Sequence, residues 1–224
     1  MKGLYAIVDL AHCASRGLDP VEVAAAILTA RPAALQLRAK DAPARAMLCI
    51  LRSLLPLCRN ASVPLIANDR ADLAALAGCD FVHIGQDDMP YDLVHRIAPQ
   101  LKIGVSTHDR EQLERALDAK PDYVAFGPVF ATATKKDHAP VVGLDGLEAA
   151  SAIARGRGVP LVAIGGITIE RVAEVSRHAD ACAVIGDLVP SNLSVADLAA
   201  RASAFHRAAG GEVAFGAECT NEAR

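Results

Sequence analysis

The sequence predicts a single (β/α)8 barrel. Three observations carry that reading: short apolar runs rich in β-formers alternate with stretches of helical periodicity, the alternation occurs eight times in 224 residues, and polar residues gather at the C-terminal end of each run. An open doubly wound sheet uses the same units, but eight of them in a chain of this length favour the closed form.

The units follow in order. Residues 4–10 form the first strand, and Asp19-Pro20 then opens a helix reaching residue 30, with Asp as cap and Pro in the first turn. The second pair is 33–38 and 44–58, the third 64–67 and 71–77, the fourth 81–84 and 91–97. Strand 102–105 precedes helix 109–119, again opened by an Asp. Strand 123–126 is followed by a long polar segment, 127–143, so its helix begins only near Leu144. Strand 160–164 with helix 168–179, and strand 181–185 with helix 195–208, complete the set. The catalytic domain is therefore expected over residues 1–209, with 210–224 as a frayed tail.

Composition narrows the function classes. Hydrophobic residues make up 52% of the chain and charged residues 22%, which suits one domain with a substantial core. A formal net charge of -3 and the absence of Trp argue against a nucleic-acid partner, so any phosphate binding must be local. The six cysteines show no metal-ligand spacing and several sit in apolar runs, which fits a reducing cytosol. The first residues reach Asp9 too soon for a secretory segment, and no later apolar run is long enough to span a bilayer, so neither export nor a membrane is expected.

The chemistry is expected at the strand ends. On an extended strand Gln36, Arg38 and Lys40 project to one side, while Leu37 and Ala39 project to the other. Two cations and an amide on one ridge are costly to bury unpaired and point to an anion. Strand three ends in Asn68-Asp69, strand four in the run through Asp87-Asp88, strand five in Ser106-Thr107-His108. The segment after strand six carries Thr132, Thr134, Lys135 and Lys136. Strands seven and eight end in Gly165-Gly166 and in Ile185-Gly186-Asp187. Carboxylates beside cations suit a magnesium diphosphate, and glycine-rich turns leading into helices suit a phosphate. Asp69 reads either as a metal ligand or as the cap of the helix near Ala71; His83, within an apolar strand, reads as a hydrogen-bonded core residue; Asp87 reads as a solvated loop acid.

The motifs QLRAK, ANDR, HIGQDD, GVSTH, GPVFATATKKD, PVVGL and AIGGI, in this order, resemble those of the thiamine-phosphate synthase family over residues 4–188. The resemblance implies a Mg2+-dependent transferase of thiamine biosynthesis. It would join a hydroxymethylpyrimidine diphosphate to a hydroxyethylthiazole phosphate, or its carboxylated form, by dissociative alkyl transfer. Carried over by residue, it implies that Gln36, Arg38, Lys40 and Asn68 bind the pyrimidine diphosphate, with Ser106 and Lys135 on its diphosphate. Arg38, Lys40 and Lys135 would support catalysis, and Asp69 and Asp88 would hold the metal. Thr132, Thr134 and backbone groups of Gly166, Ile185 and Gly186 would take the thiazole phosphate. Gly186 stands where the family often has Ser, so binding there would rest on backbone N–H groups. Two other readings stay open. A thiazole tautomerase of the same superfamily uses a His where this chain has Pro128, and a non-catalytic phosphate-binding barrel would not need the cation and carboxylate set.

Overall fold

The computed structural model describes residues 1–132 and 139–212. Eight parallel strands close in sequence order into one barrel: β1 (Gly3–Asp9), β2 (Ala34–Arg38), β3 (Leu65–Asn68), β4 (Phe81–Ile84), β5 (Lys102–Thr107), β6 (Tyr123–Phe126), β7 (Leu161–Ile164) and β8 (Ala181–Val184). Helices follow the strands: α1 (Leu10–Ala14) and α2 (Pro20–Leu28) after β1, then α3 (Ala44–Ala61), α4 (Ala71–Ala77), α5 (Tyr91–Ile97), α6 (Arg110–Asp118), α7 (Gly143–Gly156), α8 (Val172–Val175) and α9 (Val195–Ala208). The predicted barrel is thus the observed one.

Two apolar layers arise from the alternation of side chains along each strand. One lies between strands and helices and includes Leu35, Leu37, Val82, Ile103 and Val124. The other fills the barrel interior with Tyr5, Ile7, Ala34, Ile66, Tyr123, Ala125, Val162, Ala181 and Ala183. Gly104 faces this interior, and a Cβ there would lie 1.9 Å from Cζ of Tyr123, so the tyrosine ring occupies the space the glycine leaves.

The lower rim is clamped by a repeated device. Asp80, Asp122 and Asp180 each precede an even-numbered strand, and each carboxylate accepts a backbone N–H, at 2.8 Å, from the first turn of the strand before: Leu65, Ile103 and Leu161 respectively. The backbone N–H of each aspartate returns a bond to the carbonyl of the same residue. At β1 the corresponding N–H, that of Leu4, is accepted instead by Nδ1 of the buried His206 on α9, at 3.2 Å.

Asp19 and Asp109 cap α2 and α6 as expected from sequence. Several boundaries differ. β2 ends at Arg38, where its expected span of 33–38 ends, but Lys40 is not on the extended ridge expected for it, because the chain turns at residues 40–41 toward α3. α1 was not foreseen; it is five residues long and exists because Asp9 caps it through the His12 N–H. α8 shrinks to four residues from the expected 168–179: residues 169–171 form only a turn, with the N–H groups of Arg171 and Val172 donating to the Thr168 carbonyl, and residues 176–178 form another. At the start of the expected tail, Gly210 and Gly211 donate to the carbonyls of Arg207 and His206 and so close α9; residues 213–224 lie outside the described residues.

Candidate active site at the barrel mouth

One cleft of about 390 Å3 opens at the C-terminal ends of the strands. Its lining includes Gln36, Arg38, Lys40, Asn68, Asp69, Asp88, Ser106, Thr132, Gly166, Ile185 and Gly186, so eleven of the thirteen residues expected from sequence come together. The other two, Thr134 and Lys135, fall outside the described residues.

Arg38 reaches the cleft from the last position of β2 and Lys40 from the turn beyond it; Ala39 between them is buried in the outer layer. Arg38 is paired through Nη1 with Oδ2 of Asp9, at 2.5 Å. Gln36, one layer deeper, is 2% exposed and donates from Nε2 to the Tyr5 hydroxyl at 2.9 Å. That hydroxyl bonds the Tyr123 hydroxyl at 2.8 Å, and Tyr123 bonds Nδ1 of His83 at 2.9 Å. Burial pushes both tyrosine hydroxyls well above their ordinary pKa, so they remain protonated donors. Gln36 donates to Tyr5; the Tyr5 hydroxyl keeps a second lone pair, so either tyrosine can donate to the other, and the His83 tautomer goes with that choice. His83 is therefore the bonded core residue its strand position implied, and it also lines the cleft above.

Beside the cations stand the carboxylates, since Asp69 follows β3, the strand paired with β2. Asp69 has φ of +65°, and α4 is preceded by Arg70 with no side-chain cap, so the helix-cap reading of Asp69 does not hold. Its carboxyl is instead in hydrogen-bonding contact with that of Asp88. Burial, followed by the bond and the charge of Asp88, pushes its pKa up to about 6, against the opposing pull of Lys40 and Arg38. Asp88 is held by the Gly85 N–H at 2.6 Å, while Asp87 is exposed. Two hard oxygen donors at such close range fit a divalent cation. Among the described residues no group of three or more His, Cys, Asp or Glu is arranged for a metal, so a cation here would rely on water and ligand oxygens for its other positions.

The glycine turns form the other wall. Gly165 and Gly166 have φ of +104° and +61°, and a Cβ on Gly166 would sit 2.4 Å from the Ala131 carbonyl oxygen. The segment after β6 is pinned at its base, with the N–H groups of Val129 and Phe130 donating to Ile164 and Gly165, and that of Val142 to Pro128. Residues 133–138 lie outside the described residues.

Some residues that support or line the cleft were missed in the sequence. Tyr5 and Tyr123 look like packing within apolar strands, and only the mid-strand Gly104 hinted at a large neighbour. Arg171, whose guanidinium lies 4.6 Å from the centre of the Phe130 ring, lines the cleft beside the glycine turns but sits four residues beyond the motif.

Fold and lining together define a (β/α)8 barrel with cations, paired carboxylates and glycine turns around one C-terminal cleft. The chain belongs to the thiamine monophosphate synthase family, whose model matches residues 4–188. Among relatives, the thiamine-phosphate synthase of Roseiflexus sp. (strain RS-1) is 42% identical over 175 residues, 78% of this chain and 72% of that one. The thiamine-phosphate synthase of Anaeromyxobacter dehalogenans (strain 2CP-C) is 41% identical over 207 residues, 92% and 87% of the two chains. A solved structure, thiamine phosphate pyrophosphorylase from Pyrococcus furiosus, superposes with a TM-score of 0.79 at 30% identity, covering 93% of this chain and 95% of that one.

Proposed function

We propose that this chain forms thiamine phosphate by joining a hydroxymethylpyrimidine diphosphate to a thiazole phosphate, with release of pyrophosphate. The observation that carries the reading is the meeting, in one cleft of a chain from this family, of Arg38 and Lys40 with the Asp69–Asp88 pair.

The aminopyrimidine methylene can leave as a stabilised cation, so the protein needs no covalent nucleophile. What it must do is stabilise the leaving group. Arg38 and Lys40, with Lys135 from the neighbouring segment, would face the charge that builds on pyrophosphate, worth roughly 3 kcal/mol for each well-placed donor. Asp69 and Asp88 would hold Mg2+, which when bound neutralises diphosphate charge. Gln36 and Asn68 would orient the pyrimidine, and Ser106 would donate to the diphosphate. Thr132, Thr134 and the backbone of Gly166, Ile185 and Gly186 would hold the thiazole phosphate. Segment 127–143 would keep water from the cation.

A tautomerase reading is disfavoured by Pro128, which lines the cleft and has no titratable group. A purely binding barrel would have no use for paired carboxylates. We place the reaction in the cytosol: no helix among the described residues is long and apolar enough to cross a membrane, and the five described cysteines are all unpaired thiols.

Incubation of the chain with both phosphorylated halves, with and without magnesium, tests the reading. Thiamine phosphate and pyrophosphate should appear together and only with the metal, for the plain thiazole or its carboxylated form. No product with either thiazole would overturn it.

A further inference from the structure

Asp9 belongs to none of the residue sets assigned above, yet it holds the cation at the centre of the cleft. Parallel register sets Asp9, the last residue of β1, beside Arg38, the last of β2. The Asp9 side chain is 4% exposed and that of Arg38 21%, so the pair is anchored inside and presented outward. Both carboxylate oxygens are committed: Oδ2 accepts from Arg38 Nη1 at 2.5 Å, and Oδ1 accepts the His12 N–H at 2.8 Å. A buried carboxylate held at both oxygens cannot swing without leaving a donor unmatched.

The tie continues. α1, which Asp9 caps, is fixed at its other side by His12 Nε2, 2.9 Å from the Val189 carbonyl oxygen. The N–H groups of Leu188 and Val189 return to the carbonyl of Ile185. A short strut therefore joins Arg38 on β2 to the turn of Ile185 and Gly186 after β8.

We propose that Asp9 is a positioning residue: it presets the Arg38 guanidinium for the diphosphate leaving group and, through α1, fixes that cation relative to the turn assigned to the second substrate's phosphate. This rests on the transferase reading. The physical reason is that an arginine at a strand end has many rotamers, whereas transition-state stabilisation requires one. Asp9 also offsets part of the Arg38 charge and so weakens ground-state attraction for an anion. A residue that improves geometry while reducing attraction has its own kinetic signature: its loss lowers turnover without loosening anion binding.

Asp9→Asn is the test, because an amide can satisfy only one of the two donors that the carboxylate satisfies. Expected is a fall in kcat of about 10- to 100-fold, with affinity for inorganic pyrophosphate in the presence of magnesium, read by calorimetry, unchanged or tighter. Arg38→Ala should instead lose both. An unchanged kcat in Asp9→Asn, or parallel losses of kcat and pyrophosphate affinity, would overturn the proposal. In the native chain, 15N-arginine NMR should show resolved, slowly rotating Nη resonances for Arg38 before any ligand is added, a readout that survives if the variant does not fold. Averaged resonances would overturn the anchoring. The anchoring and the transferase reading can fail separately, because the NMR readout needs no turnover.

Discussion

Asp69 shows how one residue bears the cost of the site. Its left-handed backbone is unfavourable for a side chain with a Cβ, by about 1–2 kcal/mol. Its carboxyl is pushed up to about 6, first by burial and then by the bond to Asp88 and that residue's charge. Because the folded pKa lies above the unfolded one, the protonated site is fully stabilising below about pH 4, and that stability is lost as pH rises through about 6. In ligand-free protein, thermal unfolding midpoints should carry a component that falls across this window. Asp69→Asn should abolish that component, and differential scanning calorimetry of the two proteins checks it. Since a bound cation would take the proton's place, affinity for magnesium with pyrophosphate should climb over the same interval. Arg38→Ala should reduce turnover about 100- to 1,000-fold with the fold retained; steady-state rates beside a circular dichroism melt would decide it.

At the scale of elements, strand alternation explains what could be read beforehand and what could not. Gln36 and Arg38 were legible as a pair because period 2 puts them on one side of β2 whatever the surroundings. Lys40 was placed on the same ridge, but the strand stops before it and only the turn brings it back to the cleft. The partners Asp9, Tyr5 and Tyr123 were not legible as partners, because hydrogen bonds between strands 31 and 118 residues apart leave no spacing in the sequence. The helix-cap reading of Asp69 failed for a local reason, the positive φ that turns its carboxylate toward Asp88 rather than α4. In the Gln36–Tyr5–Tyr123–His83 chain the Gln36 amide is the fixed donor, and two proton orders satisfy the rest. With Tyr123 donating to His83 the neutral imidazole carries its proton on Nε2; with Tyr123 donating to Tyr5 it carries it on Nδ1. 15N chemical shifts of His83 distinguish the two, and Tyr123→Phe should destabilise the chain by about 1–3 kcal/mol by leaving buried groups unmatched.

For the whole molecule, closure of the lower rim separates stability from chemistry. Asp80, Asp122 and Asp180 lie at the strand starts, the opposite end of the barrel from the cleft. Asp180→Ala is therefore expected to lower the unfolding free energy by about 1–3 kcal/mol while leaving kcat within about twofold of the native value. His206 completes the rim differently, and burial holds its pKa below the ordinary histidine value. A depressed histidine contributes stability that is present above the unfolded pKa, about 6.5, and is lost as pH falls below it. Acid should thus loosen the seam between β1 and α9 first, which hydrogen exchange at the Leu4 amide would register. The ring of Tyr123 lying in the gap left by Gly104 has a different consequence, one for heredity rather than for mechanics. Neither position can drift alone: a side chain at 104 evicts the ring, and a small residue at 123 opens a hole. Across descendants of this chain the two sites should change together or stay as they are, an epistatic pair lying 19 residues apart.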